Sequence, residues 1–227
     1  MVKEITIALA GNPNSGKTTV FNNLTGARQH VGNWPGVTVE KKEGSCSQGN
    51  YNIKVVDLPG VYSLTAYSPD EVIARDFILD EQPDAVVDIV DASNLERNLY
   101  LTVQLLEMGA HVIVALNMMD QADSREHRID VNGLSNLLGV PVIPLVASRN
   151  KGTMELLDEI CKVTKDKAKV EGLKVEYGRE VEGELAKLEE FVSKSKLASK
   201  YSSRWLAVKL LEGDEEIIKK FQEVKVA

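Results

Sequence analysis

Cysteine is nearly absent. Cys46 and Cys161 are the only two in 227 residues, too few and too far apart for a disulfide framework, which fits a reducing compartment. They read instead as small buried or half-buried residues. Long apolar runs are missing as well. A membrane span needs about 18 uninterrupted apolar residues, and the best stretch, 137–148, is short and carries Pro141 and Pro144. The opening MVKEITIALAGN has no apolar run followed by a small-residue cleavage site, so it reads as a first strand and not as a signal peptide. There is no surplus of positive charge: 27 basic residues face 34 acidic ones for a net charge of −7, which argues against a broad basic surface and against nucleic acid as a partner. His30, His111 and His127 are scattered at spacings that suit no metal site. No internal repeat and no low-complexity tract is visible.

What is present is an ordinary globular balance, 43% apolar and 27% charged. The length suggests one full domain and a smaller appendage. Short apolar runs at 5–10, 53–56, 85–90, 111–116 and 140–145 read as buried parallel strands. Helical patterns lie between them at 17–24, at 94–108 with Asn94 as cap and Gly109 as stop, and at 154–163. Alternation of this kind predicts an α/β fold, a mostly parallel sheet with helices on both faces and with ligands at the carboxyl ends of the strands. After Lys165 the strand-like runs cease, and a charged stretch leads into helical patterns alone. Val181, Leu185, Leu188 and Val192 share one face; Trp205, Leu206, Leu210 and Leu211 precede Gly213; Asp214 caps a last helix with Ile217, Ile218 and Phe221. The expected organisation is 1–165 as a nucleotide-binding domain and 166–227 as a small all-helical subdomain.

Gly11-Asn12-Pro13-Asn14-Ser15-Gly16-Lys17-Thr18 satisfies G-x-x-x-x-G-K-[ST] between a predicted strand and a predicted helix. Glycines let backbone N–H groups close around phosphates. Lys17 adds a point charge at the β and γ positions, Thr18 offers a hydroxyl to magnesium, and Thr19 continues the helix start. Asp57-Leu58-Pro59-Gly60 closes a predicted strand and matches DxxG. By itself an Asp before Pro-Gly is more often a turn; after a phosphate loop, Asp57 becomes a water-mediated magnesium ligand and the Gly60 N–H a sensor of the γ-phosphate. Asn117-Met118-Met119-Asp120 follows another strand and resembles NKxD. There Asp120 would accept from guanine N1–H and the exocyclic amine, contacts adenine cannot make. Met118 stands where lysine is usual, so nucleotide affinity is expected to be modest, although its flexible chain can still cover the base. Val146-Ala147-Ser148 resembles the element whose backbone N–H meets the guanine oxygen. Residues 31–40, VGNWPGVTVE, are rich in turn formers and read as a loop. In it Thr38 is either an ordinary loop threonine or the switch residue that completes the magnesium shell, with Gly36 and Val37 beside it.

GNPNSGKTT, GNWPGVTVEKKEG, DLPGVYSL, the Ser-Pro-Asp-Glu stretch at 68–71 and NMMD together resemble the ferrous iron transport protein B family over roughly residues 3–165. The resemblance implies a Ras-like P-loop GTPase fold that cleaves GTP to GDP and phosphate with magnesium, followed by a helical spacer resembling a dissociation-inhibitor domain. It implies a truncated piece, itself soluble, of a longer transporter at the cytoplasmic face of a prokaryotic cell membrane. The expected partners are the transmembrane region of the same protein, ferrous iron transport protein A, and further copies of the chain.

Ras-like enzymes orient the attacking water with a glutamine after DxxG, whereas this chain has Val61, so something else must place the water. The resemblance, shared with potassium-activated GTPases, assigns a potassium ion to Asn14 beside the phosphates; read on its own, Asn14 could equally bond its own turn. A ribosome- or tRNA-associated GTPase is the competing reading, and it needs a basic extension that is not seen. An ATP-using P-loop protein would have no use for NMMD.

Overall fold

The computed structural model describes residues 2–65, 67–165 and 175–226. The chain opens with strand β1 (Lys3–Gly11), helix α1 (Lys17–Thr25), β2 (Gln29–Asn33), β3 (Glu40–Gln48) and β4 (Tyr51–Asp57). Helix α2 (Pro69–Asp76) runs into a π-helical turn over Phe77–Glu81; β5 (Ala85–Asp91), α3 (Leu95–Glu107), β6 (Val112–Asn117), α4 (Met119–Ser124), α5 (Val131–Leu138), β7 (Val142–Pro144) and α6 (Thr153–Val163) follow. The chain closes with α7 (Arg179–Ser193), α8 (Ser203–Glu212) and α9 (Glu215–Val226). Seven strands form one sheet in the order β2-β3-β4-β1-β5-β6-β7. Pairing is parallel from β4 across to β7 and antiparallel at β2–β3 and β3–β4.

The mostly parallel sheet with helices on both faces is the architecture expected from the run of apolar strands. Alternate residues of β1 divide between two cores: Ile5, Ile7 and Leu9 pack with Phe21 of α1 and Leu156 and Ile160 of α6, while Ala8 and Ala10 join the cluster holding Leu101 and Leu105 of α3. That second cluster also takes Trp205, Leu206, Ile217 and Phe221, so the helical subdomain sits on the same face as α2 and α3.

Several local expectations need correction. Residues 31–40 are not loop throughout: Val31, Gly32 and Asn33 belong to β2 and Glu40 to β3, leaving only a short turn between them. Cross-strand pairing with the neighbouring hairpin overrides a glycine-containing, turn-rich composition. Asn94 makes no side-chain cap on α3; it closes a 3₁₀ turn after Asp91, and its amide bonds Asp91 Oδ2 at 2.6 Å. The 140–145 run pairs only over Val142–Pro144. Helices α2, α4 and α5 are too short for their periodicity to stand out.

In the helical part, Asp214 Oδ1 accepts from Ile217 N at 3.1 Å, the expected cap of α9. Its other oxygen takes a hydrogen bond from Arg75 Nη1 at 2.9 Å, and Arg75 is fully buried at the end of α2. The boundary expected near residue 166 falls outside the described residues.

Candidate functional site

Parallel strands finish on the same edge of a sheet, so the residues leaving β1, β4, β6 and β7 converge there. Register keeps them level: Leu9 pairs with Asp57, Gly11 with Ile89, and Asp91 with Asn117.

The loop after β1 begins at Gly11, where a side chain would lie 2.6 Å from the Ile89 carbonyl oxygen. Asn14 (φ 67°) and Gly16 (φ 90°) both adopt the left-handed conformation. Alternating handedness turns successive N–H groups toward one point, and α1 starting at Lys17 adds the positive end of its dipole. The result is a concave anion nest. Asn12 and Ser15 are buried, and among the described residues the side-chain amide of Asn12 and Oγ of Ser15 have no partner. Buried polar atoms in that condition cost free energy unless a ligand or solvent meets them. Pro13 is half-buried; Asn14, Thr18 and Thr19 are exposed at the rim.

Lys17 Nζ donates to Asp57 Oδ1, and both side chains are largely shielded. The stretch after Asp57 is stitched to the loop: Leu58 N donates to Leu9 O at 3.0 Å and Val61 N to Gly11 O at 3.3 Å. Pro59 and Gly60 are half-buried, and Gly60 stands against Pro13. Val61 is buried in the apolar core and therefore offers nothing to a water molecule.

At the other end of the cleft one side chain joins two motifs. Asn117 Nδ2 donates to Ser15 O at 2.9 Å, and Asn117 Oδ1 accepts from Ala147 N at 3.0 Å. The approach is so close that a Cβ on Gly16 would come 2.3 Å from Asn117 Nδ2, which explains a glycine there independently of its φ. Asn23 of α1 adds a bond to Ala147 O at 2.8 Å. Met118 takes the left-handed cap of α4 (φ 62°), and Asp120, half-buried, has Arg149 Nη2 at 3.8 Å. Val146 is buried, and Ser148 is exposed on a 3₁₀ turn.

The structure thus gathers residues 11–19, 57–60, 117–120 and 146–148 on one edge. Gly36, Val37 and Thr38 lie elsewhere in character: they form the exposed tip between β2 and β3, and among the described residues no hydrogen bond joins them to the loops above. Sequence reading missed the bridging role of Asn117, the support from Asn23 and the nearness of Arg149 to Asp120. None of these has a local signal, because each depends on residues far apart in the chain. Below the site, Asp88 pairs in register with Ala10. Burial pushes its carboxyl from the ordinary 3.8 up to about 7, even though Thr102 Oγ1 donates to it at 2.6 Å and opposes that rise.

Two family models match the chain. Residues 5–160 match the family described as Ferrous iron transport protein B, and residues 177–226 the FeoB cytosolic helical domain. The Fe(2+) transporter FeoB of Escherichia coli K12 is 50% identical over 219 residues, which cover 94% of this chain and 27% of the relative. An Fe(2+) transport protein A/Fe(2+) transporter FeoB fusion protein of Porphyromonas gingivalis is 45% identical over 217 residues, 94% of this chain and 26% of the relative. The chain therefore spans about a quarter of the length of these relatives. Among solved structures, the cytosolic domain of the T. maritima FeoB iron transporter in a GDP form superposes with a TM-score of 0.93 at 40% identity, covering 98% of this chain and 87% of that one. The same domain in its GMPPNP form gives 0.91 at 40% identity, covering 97% and 86%. The cytosolic domain of L. pneumophila FeoB gives 0.82 at 41% identity, covering 96% and 93%.

Proposed function

The chain belongs to the ferrous iron transport protein B family, and from that premise we propose that it is the GTP-binding, slowly GTP-hydrolysing part of a ferrous iron transporter, working at the cytoplasmic face of a membrane. Its partners on this reading are GTP and GDP, the transmembrane region of the same protein, ferrous iron transport protein A and further copies of the chain. Residues 1–165 form the nucleotide-binding domain and 166–227 the helical spacer, a division supported by family matches that end at residue 160 and resume at 177.

The observation that carries the reading is the two-ended bond of Asn117, which holds the anion nest and the base loop in one cleft. In that cleft the backbone N–H groups of residues 14–18 and the Lys17 ammonium take the phosphates, Gly60 N–H meets the γ-phosphate, and Asp120 accepts from the guanine edge. The Ala147 amide is engaged by Asn117, so the Ser148 N–H is the donor assigned to the guanine oxygen. The hard oxygen donors at the mouth suit magnesium: Asp57 beside the nest and Thr18 at the start of α1, joined by Thr38 from the hairpin tip. When bound, that ion would supply neutralisation of the negative charge on the phosphates. Asn14, exposed at the rim in a left-handed turn, presents an amide oxygen suited to potassium. Val61 cannot orient water, so that task falls to other groups.

The test is GTP turnover in potassium, in sodium and with magnesium chelated. Faster turnover in potassium, loss on chelation, no use of ATP, and equal rates in both salts for Asn14→Ala are expected. No heat on adding guanosine nucleotides to the folded chain in a calorimeter would sink the reading.

A further inference from the structure

Among residues 29–38, Trp34 alone is buried; Pro35, Gly36, Val37 and Thr38 are all exposed. Residues 35–38 of the hairpin tip add no buried side chain. The tip is fastened chiefly by an indole that lies 7% exposed in the cluster that also holds Leu58, Val61 and Leu64 of the segment following Asp57, with Val39 half-buried against the same cluster. The ring meets Phe77 edge-on, with centroids 5.5 Å apart and planes at 75°. Phe77 is the first residue of the π-helical turn that continues α2. Lys41 Nζ lies over the Trp34 ring, 4.8 Å from its centroid, tying it to β3. Two backbone bonds close the tip onto this same residue: Trp34 N donates to Val39 O at 2.9 Å, and Val37 N to Trp34 O at 3.3 Å. Among the described residues the buried indole Nε1 finds no acceptor, so packing and the Lys41 contact hold the ring.

We propose that Trp34 is the positioning residue that joins the two nucleotide-sensing segments: the tip carrying Thr38 moves about its indole, and the contact with Phe77 passes that movement to α2. A turn closed by two hydrogen bonds, with residues 35–38 all exposed, can rearrange at small cost. An aromatic pair wedged in a core changes between discrete packings and does not deform smoothly. Entry of Thr38 into the phosphate site therefore repacks the Trp34–Phe77 pair, and the DxxG segment, which shares that core, is set at the same time. Trp34 touches no phosphate; it acts through Thr38 and Phe77. The inference rests on the GTPase reading above.

Trp34 and Trp205 are the only tryptophans, so Trp205→Phe leaves Trp34 as the sole emitter. With that 227-residue variant, emission maximum and acrylamide quenching of Trp34 should differ between GDP and a non-hydrolysable GTP analogue with magnesium. Phe77→Ala should abolish the difference. In a Trp205-containing background, Trp34→Ala should lower kcat at least tenfold while GDP affinity stays within about twofold, and Trp34→Phe should restore most of the rate. If Trp205→Phe does not fold, the emission difference between the parent chain and Trp34→Phe isolates the same signal. Identical emission and quenching in both nucleotide states overturns the proposal, as does a loss of GDP affinity parallel to the loss of kcat. Failure to bind GDP at all, read by calorimetry in the same samples, instead overturns the GTPase reading on which it stands.

Discussion

Lys17 Nζ donates a hydrogen bond to Asp57 Oδ1, so the cation expected to meet phosphate and the carboxylate expected to meet magnesium stand against one another. The two side chains are 12% and 8% exposed, which makes the pair one whose partners depend on each other. Breaking a shielded pair by removing one member leaves an uncompensated charge, a cost of about 3–5 kcal/mol for fully buried pairs and less for one at a cleft mouth. Lys17→Ala should lower the thermal midpoint of the nucleotide-free chain and reduce GTP turnover by at least about a hundredfold, since a charge stabilising the transferring phosphoryl group is gone. An unchanged melting curve would show the pair to be energetically inert.

Asn117→Ala removes two bonds at once and strands Ser15 O and Ala147 N in a buried setting. At roughly 1–3 kcal/mol for each of the two orphaned groups, the expected loss of stability is about 2–6 kcal/mol. GDP affinity should fall by at least about tenfold, because phosphate nest and base loop are no longer held in register. Denaturant melts together with calorimetric titration check both halves, and a variant that binds GDP normally would remove Asn117 from the argument.

On the proposed reading, Asp120 selects guanine. Replacing its carboxylate by an amide in Asp120→Asn converts one acceptor into a donor, so guanosine diphosphate should bind about a hundredfold more weakly and xanthosine diphosphate, which presents an oxygen at that edge, more tightly. Met118 offers no cation to the base, so this carboxylate carries more of the selectivity than it would beside a lysine. Competitive titration with the two nucleotides decides it; an unaltered preference for guanine would point to another residue.

Asp88 predicts a pH dependence with a definite sign. In the unfolded chain its carboxyl loses its proton near 3.8, whereas in the folded chain burial holds the proton until about 7. Between those values the folded state binds more protons, so this group's contribution to stability falls as pH rises from about 4 to about 7 and then levels off. Asp88→Asn keeps an acceptor for Thr102 and has no charge to bury. It should gain on the order of 2–4 kcal/mol at pH 8 relative to the parent, and the gain should fade toward pH 4. Parallel stability curves for the two proteins would refute the assignment.

Much of the fold was legible because its signals are local. Apolar runs of strand length marked the central strands, and the glycine-rich turn between Ala10 and Lys17 marked the first crossover. The turn residues 34–39 stayed a turn, but the flanking strands β2 and β3 were invisible. Their residues are mostly exposed or half-buried, so they carry no apolar alternation; β3 exists through pairing with β4, and β2 through pairing with β3. Asn94 shows the opposite error, a residue of the right type at a helix start whose amide is drawn instead to Asp91.

By itself the sequence determined which residues are proposed for the chemistry: a glycine-bounded loop and one lysine for phosphate, a carboxylate after a strand for a divalent ion, another for guanine. Those follow from residue type and from nearest neighbours along the chain. Only the tertiary structure decided that Asn117 clasps both Ser15 and Ala147, that Lys17 faces Asp57, and that Trp34 fastens the hairpin tip to Phe77. The reason is distance along the chain: such contacts are set by sheet order and crossover packing, and no spacing in the sequence encodes which far-separated side chains will meet.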